Sequence, residues 1–453
     1  MSLPSLSRLP VPAFIVMCLL IGGSIQWPIA TMAIQLCAVA LLVWALLGTR
    51  QSEHRAEGLS PVLLCVAVIA LGMVQIIPLP PTIWSLIPGK DMIELGYAQL
   101  GNALPWLALS VDPEATVAAL LTLLVPLAIY LAILRREAPS ATILIGSILL
   151  GVTIGALVGI VQAFDKTTRY YPYAVSDWNS ASGLFANPNH MGLMLLVAIP
   201  LAMGLGAEQW RTLRSRHLRI AVMAQLAAVA IALAAVIPFN HSLAMVLLGP
   251  PVVISSLLIP DWGKREHLRR ATTLLLTFTI GAAVLAVFLF RNALESMGQT
   301  GFATRSEIWR SAWSQVTASF PFGTGLGTFE RVYPLGENPY LVETTYVNHA
   351  HNDYLELLIE GGLPLVAILC LFLAWWLRRA KSDWLGKDHP EIGRAAAVAS
   401  AAILAHSFVD FPLRTPAIAA VFAACLAMMV VAIRPLPIRN PRDLHETRHV
   451  VVR

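Results

Sequence analysis

Residues 140–164 read SATILIGSILLGVTIGALVGIVQAF, twenty-five positions without one charged side chain. A helix rises about 1.5 Å per residue and the hydrocarbon core of a bilayer is about 30 Å thick, so roughly 20 such residues cross it. The same pattern recurs along the chain. Of 453 residues 57% are hydrophobic and only 13% charged, and the mean hydropathy is +0.70. A soluble domain carries about 25% charge, so a soluble enzyme, a disordered protein and a nucleic-acid binder all fit poorly. Apolar segments fall at roughly 11–25, 29–48, 60–78, 114–134, 140–164, 190–206, 220–237, 243–259, 271–290, 362–377, 395–411 and 416–433. The predicted fold is all-α: a polytopic transmembrane bundle of about twelve helices, eleven if the short first segment is discounted. Arg8 followed by an apolar run, with no small-residue cleavage site, reads as a first membrane helix rather than a removed signal. Gly151, Gly155 and Gly159 have the small-xxx-small spacing of packed membrane helices.

Charge sets the orientation. With the N-terminus inside, the inner segments hold 23 of the 31 Lys and Arg and the outer ones 8. This satisfies the positive-inside rule and puts both termini in the cytoplasm. The net charge of +5 then reflects basic loops facing an anionic leaflet, not nucleic acid. The five cysteines, Cys18, Cys37, Cys65, Cys370 and Cys425, all lie in apolar runs, which argues against a disulfide framework or a cysteine metal site.

The chain reads as one membrane domain, 1–453, with three long outer segments near 79–113, 165–189 and 291–361. The last carries short helices and the densest polar patterning. Eight of the nine tyrosines lie in these segments; an interfacial aromatic belt accounts for part of that. No G-x-x-x-x-G-K-[ST] loop occurs. Chemistry is expected on the outer face, without ATP, so a substrate there must arrive already activated.

Two stretches of the third segment stand out. In Arg305-Ser306-Glu307-Ile308-Trp309-Arg310-Ser311-Ala312-Trp313, Trp309, Ala312 and Trp313 share a helical face, which predicts an amphipathic helix lying on the membrane; a plain interfacial anchor is the bland alternative. In Asn348-His349-Ala350-His351-Asn352-Asp353-Tyr354-Leu355-Glu356, continuing to Glu360-Gly361-Gly362-Leu363-Pro364, Asn352 or Asp353 can cap a helix, leaving His351 at the membrane mouth. Glu356 and Glu360 then lie one turn apart and need partners, because carboxylates at membrane depth cost about 2.5–3.5 kcal/mol. His349 and His351 have a spacing suited to two metal ligands, but no third ligand is evident and no metal is expected. Gly323-Thr324-Gly325-Leu326-Gly327 reads either as a flexible turn or as an anion nest. Asp410 and Arg414 form either an ion pair or a charged pocket with Arg305.

The block Ala350–Glu356 followed by Glu360–Pro364 resembles the signature of the O-antigen ligase and polymerase superfamily. Arg305-Ser306-Glu307-Ile308-Trp309 resembles the R-x-x-I-W stretch of that family, and Gly183–His190, with Asn187 and Asn189, its F-x-N-x-N segment. The resemblance implies a bacterial multi-pass protein of the inner (cytoplasmic) membrane with a periplasmic active site. It implies an enzyme without metal or cofactor. It further implies transfer of a glycan from an undecaprenyl-diphosphate-linked oligosaccharide to a glycan acceptor: lipid A–core or protein for ligases, another repeat unit for polymerases. The family's catalytic histidine matches His351. Two departures stand out. Leu365 replaces a frequent Gly or Thr. The mid-chain Ser-Arg-Gly turn, whose arginine is thought to hold the diphosphate, reads Pro238-Phe239-Asn240-His241-Ser242-Leu243. Either His241 replaces that arginine, or Arg291, Arg305 and Arg310 serve alone, or activity is altered.

The residue chemistry agrees. A diphosphate leaving group needs a bidentate cation; Arg305, supported by Arg310 or Arg414, is the candidate. An imidazole near neutral pKa suits an acceptor hydroxyl; His351 is the candidate, oriented by Glu360 or Asp410 and flanked by His349 and Asn352. Tyr354 and Trp309 are placed to stack on sugars. Polymerisation of a surface polysaccharide is slightly favoured over ligation. A lipid-linked glycan transporter is the competing class, disfavoured because the polar clusters lie at one face rather than at mid-membrane and no internal repeat is seen; a non-catalytic scaffold is the third reading.

Overall fold

The computed structural model describes residues 8–47, 55–135, 139–165, 167–174, 180–213, 242–260, 303–337, 347–385 and 391–431, with a few further positions between 176 and 240. The expected segments 220–237 and 271–290 fall largely or wholly outside the described residues, as do Arg291 and His241.

The described residues are mainly helical. The helices are α1 Pro10–Ile21, α2 Pro28–Leu46, α3 Arg55–Ile76, α4 Pro81–Trp84, α5 Asp91–Gln99, α6 Pro113–Thr122, α7 Leu124–Arg135, α8 Ala141–Phe164, α9 Pro188–Thr212, α10 Leu243–Leu257, α11 Ala303–Ser319, α12 Phe329–Gly336, α13 Asp353–Leu385, α14 Glu391–His406 and α15 Pro416–Val430. The only strands among the described residues are β1 Pro78–Leu79 and β2 Leu107–Ala108, an antiparallel pair that ties off the first outer segment. Among the described residues, six spans are long and apolar enough to cross a membrane: Pro28–Leu46, Gly58–Ile76, Pro113–Arg135, Ala141–Phe164, Pro188–Thr212 and Asp353–Leu385. Shorter apolar helices lie at Pro10–Ile21, Leu247–Leu257 and Pro416–Val430. The 140–164 stretch is the helix its composition dictates, capped by Ser140 on the Ile143 amide.

The bundle is organised around α15. All fifteen of its residues are buried, as expected of a helix apolar on every side. It packs on α1, α7 and α14, while α14 packs on α9 and α9 on α8 and α10. The small residues of α8 work at these contacts: a side chain at Gly151 would meet Leu19 of α1 at 2.6 Å, and Gly155 faces Met191 of α9.

Two sequence expectations gain detail. First, the helix expected from Trp309, Ala312 and Trp313 forms over Ala303–Ser319, and it buries Ile308, Ala312 and Val316 against α12 and the start of α13. Trp313 is largely exposed and Trp309 half-buried. Burial of the 308–312–316 stripe against protein holds the helix in place.

Second, the glycine run 323–327 is neither a flexible turn nor an open nest. Gly323, Gly325 and Gly327 all have positive φ. The amide of Gly323 donates to Ser319 O at 3.0 Å, that of Thr324 to Ile359 O at 2.9 Å, that of Gly325 to Glu360 O at 2.9 Å and that of Leu326 to Gln75 Oε1 at 3.0 Å. The run is a clamp on a break in α13. Pro364 has no N–H, so the Glu360 carbonyl loses its helical donor; the Gly325 amide and Gln75 Nε2 replace it. Gly362 takes φ +57°, and the Leu363 amide turns to Pro321 O at 2.8 Å. The Glu-Gly-Gly-Leu-Pro sequence is therefore a helix break whose freed backbone groups are caught by a neighbouring loop.

Candidate active site

The site forms where the α13 start, the α14–α15 turn, the α9 start and α11 meet. Asn352 caps α13, its Oδ1 accepting the Leu355 amide at 3.1 Å. The preceding residue, His351, has φ +48°, the only non-glycine with positive φ among the described residues. That conformation costs about 1–2 kcal/mol. Asp353 fixes the junction from the other side: its amide donates to Ser407 O at 2.8 Å and its carboxylate accepts from Ser407 Oγ at 2.9 Å.

Asp410 lies in the turn after α14 and is fully buried. His351 Nδ1 is 3.3 Å from its Oδ1, and Asn187 Nδ2 lies 3.3 Å from each carboxylate oxygen. The Phe411 amide donates to Oδ1 at 2.9 Å. Arg305 Nη2 is 3.7 Å away, His406 Nε2 3.8 Å and His190 Nε2 3.9 Å. Burial pushes the Asp410 carboxyl up, but the His351 hydrogen bond and the charges of His351, His190 and His406 prevail and hold it well below the usual carboxylate range. His351, with 28% of its side chain exposed, is the most open ionisable member of this cluster; Arg305 is at 12%.

A second network lies beside the first. Arg414 Nη2 reaches Glu360 Oε2 at 3.0 Å and Glu356 Oε1 at 3.2 Å, and its Nε lies 3.6 Å from Asp353. Burial would make the guanidinium easier to deprotonate, but Glu356, Glu360 and Asp353 hold it charged. His349 Nδ1 meets Glu356 Oε1 at 2.9 Å, and the Ala350 amide donates to Glu356 Oε2 at 3.0 Å. These are the partners the two glutamates need at membrane depth.

Several expectations are thereby resolved. The orienting carboxylate at His351 is Asp410, not Glu360, which is taken by Arg414. Asp410 and Arg414 do not pair with each other: each belongs to a different network. Arg414 is already surrounded by carboxylates and does not join Arg305 in one pocket. His349 and His351 face different carboxylates and do not converge. Asn187 joins the Asp410 cluster while its Oδ1 caps α9 on the Asn189 amide. Asn189 instead packs at the α9–α10 contact, accepting from Ser242 Oγ at 3.2 Å. Trp309 donates from Nε1 to Ala350 O, and Tyr354 donates its hydroxyl to Leu404 O at 2.7 Å. Both rings, with Ser306, Arg310, Trp313, Asn352 and Phe408, line an open groove of about 520 Å³. Arg310 is exposed there.

Sequence reasoning passed over His190 and His406. Each is a lone imidazole in an apolar helix, a pattern that often means nothing more than a satisfied core histidine. The available signal was cost: ionisable side chains within membrane helices are rare and usually functional.

Comparison with curated proteins gives no match. Residues 178–370 match the family model described as O-antigen ligase. That stretch takes in Asn187, Arg305, His351 and Glu360, with Asp410 and Arg414 beyond it. The match supports the O-antigen ligase/polymerase superfamily for this chain.

Proposed function

We propose that this protein is an inner-membrane glycosyltransferase of the O-antigen ligase/polymerase type. It works on the periplasmic face, as one membrane domain whose 291–361 loop carries the catalytic motif, with both termini cytoplasmic. It takes a glycan from undecaprenyl diphosphate and joins it to a second glycan. The observation that carries this reading is the convergence of Arg305 and His351, the more open side chains, on the buried Asp410 at 3.7 and 3.3 Å.

In the proposed reaction the acceptor hydroxyl oxygen bonds to the anomeric carbon as the bond from that carbon to the diphosphate oxygen breaks. His351 takes the hydroxyl proton on Nε2 while Nδ1–H donates to Asp410, which fixes the tautomer and steadies the developing imidazolium. Undecaprenyl diphosphate leaves with its extra negative charge opposed by Arg305, with Arg310 at the groove mouth. His241 and Arg291 are proposed to assist at the diphosphate. Polymerisation of a surface polysaccharide is the preferred form, on the size and tyrosine content of the outer segments. Ligation to lipid A–core or protein is the alternative.

The test is deletion of the gene with complementation by wild type and by His351→Ala, read as surface glycans on a gel. Loss of the His351 base is expected to lower turnover by about 10²–10⁴-fold. Single repeat units on the surface lipid after deletion mark a polymerase. Long chains held on undecaprenyl diphosphate mark a ligase. Wild-type glycan from His351→Ala removes the catalytic role.

A further inference from the structure

His349 and His351 are two residues apart, yet each has its own carboxylate. Between them stands Phe411. Its ring centroid lies 4.1 Å from that of His349, with the planes inclined by only 34°. His351 meets the same ring at 5.0 Å and 64°, and His190 at 5.3 Å and 82°. One phenyl thus touches three imidazoles, one near its face and two edge-on, the geometries aromatic pairs prefer. The Phe411 amide also donates to Asp410 Oδ1, the oxygen that faces His351.

The ring meets imidazoles of both networks: His351 and His190, which lie by Asp410 with Arg305, His406 and Asn187, and His349, which lies by Glu356 with Arg414, Glu360 and Asp353. The second network also offers carboxylates to an imidazole, as His349 on Glu356 shows. An imidazole at a positive-φ position, 28% exposed, needs something to keep it turned toward Asp410.

We infer that Phe411 is a positioning residue: its ring is a partition that keeps His351 on Asp410 and His349 on Glu356, so that the catalytic imidazole presents one nitrogen outward. This rests on the glycosyltransferase reading above. A space-filling role would be served by any apolar side chain of similar volume. The partition needs a flat ring.

The test uses full-length protein purified in detergent and lipid-linked glycan extracted from the deletion strain. Phe411→Tyr keeps turnover within about threefold, and Phe411→Leu lowers kcat by about tenfold or more with KM little changed, as misorientation of a reacting group does. Thermal unfolding of both variants in detergent separates misfolding from misorientation. In a double-mutant cycle His349→Gln and Phe411→Ala are coupled, because without the ring each imidazole can reach the other's carboxylate. Equal activity of the Leu and Tyr variants, at equal folding, overturns the partition. So does strict additivity of His349→Gln and Phe411→Ala. Wild-type activity of His351→Ala in the same assay overturns the glycosyltransferase chemistry itself, whatever the Phe411 variants do.

Discussion

In the proposed reaction the buried carboxylate of Asp410 sets the orientation and tautomer of His351. Asp410 has no solvent exposure, and its charge is held by three imidazoles, a guanidinium, an asparagine and a backbone amide. Replacing it with Asn keeps the shape and removes the charge, leaving His351 free to take the wrong tautomer. The expected loss in kcat is up to about 10⁴-fold, the cost of the same change in hydrolase triads. Activity near wild type for Asp410→Asn would exclude this role. The pH dependence follows from the same geometry. A carboxyl held well below its ordinary range stays ionised throughout pH 5–8; its contribution is present above the unfolded carboxyl value and lost only as pH falls through the lower folded one. Any acid limb of the activity profile in that window therefore belongs to another group. Asp410→Asn is expected to lower the rate at every pH in that window, since the charge it removes is present throughout; a rate that returns to wild type at either end of the window would contradict this.

At the scale of elements, the break in α13 and its clamp place the site. A Cβ at Gly362 would run into the Pro321 carbonyl oxygen, and the φ of +57° is itself unfavourable for any other residue. Gly362→Ala is expected to destabilise the protein by about 1–3 kcal/mol from backbone strain alone, read as a lower melting temperature in detergent and less protein in membranes. An unchanged melting temperature would mean that the helix break is not as tight as drawn. The clamp is anchored from the first outer segment too. Ser110 bonds Thr116 at 2.8 Å, Thr116 reaches Leu326 O at 2.9 Å, and the Val111 amide donates to Thr324 O at 2.9 Å. Asp112 caps α6 on the Ala115 amide at 3.0 Å and takes Arg331 Nε at 2.9 Å. Asp112→Ala should cost about 1 kcal/mol as a lost cap. Arg331→Ala should cost less, since its side chain is 71% exposed and such pairs give little. Chemical unfolding of the two variants compares them; an equal or larger loss for Arg331→Ala would assign the stabilisation to the ion pair instead.

At the scale of the molecule, α15 is the axis, and the polar clusters gather at one end of the bundle around it. The α14–α15 turn brings Asp410 and Arg414 to that end; the 378–394 region at the other end is basic. Orientation can be read directly. In a protein freed of its native cysteines, Thr317→Cys on α11 should react with an impermeant maleimide from outside the inner membrane, and Lys381→Cys on α13 only after lysis. The reverse pattern would invert the proposed topology and place the site in the cytoplasm.

The composition and the apolar runs were enough to give the fold class, and the block from Ala350 to Pro364 pointed to the superfamily that the family match supports. These are local properties: a twenty-residue apolar run must become a helix in lipid, because its backbone polar groups have no other partners there. The glycine run 323–327 was ambiguous in isolation, since a positive-φ glycine serves a loose turn and a tight clamp equally. Its partners, Gln75 and the carbonyls of Ile359 and Glu360, are supplied from elsewhere in the chain. The sequence marked Trp309, Ala312 and Trp313 as one apolar face, whereas the stripe that packs on protein is Ile308, Ala312 and Val316, and only tertiary contacts reveal it. Which carboxylate serves which cation was equally undetermined: Arg414 is four residues from Asp410 but pairs with Glu356 and Glu360, more than fifty residues away. His190 and His406 entered the site only through packing of α9 against α14 and of α14 against α15. Ion pairing depends on distances of a few ångströms across helices, and those distances are set by tertiary packing, which no single segment encodes.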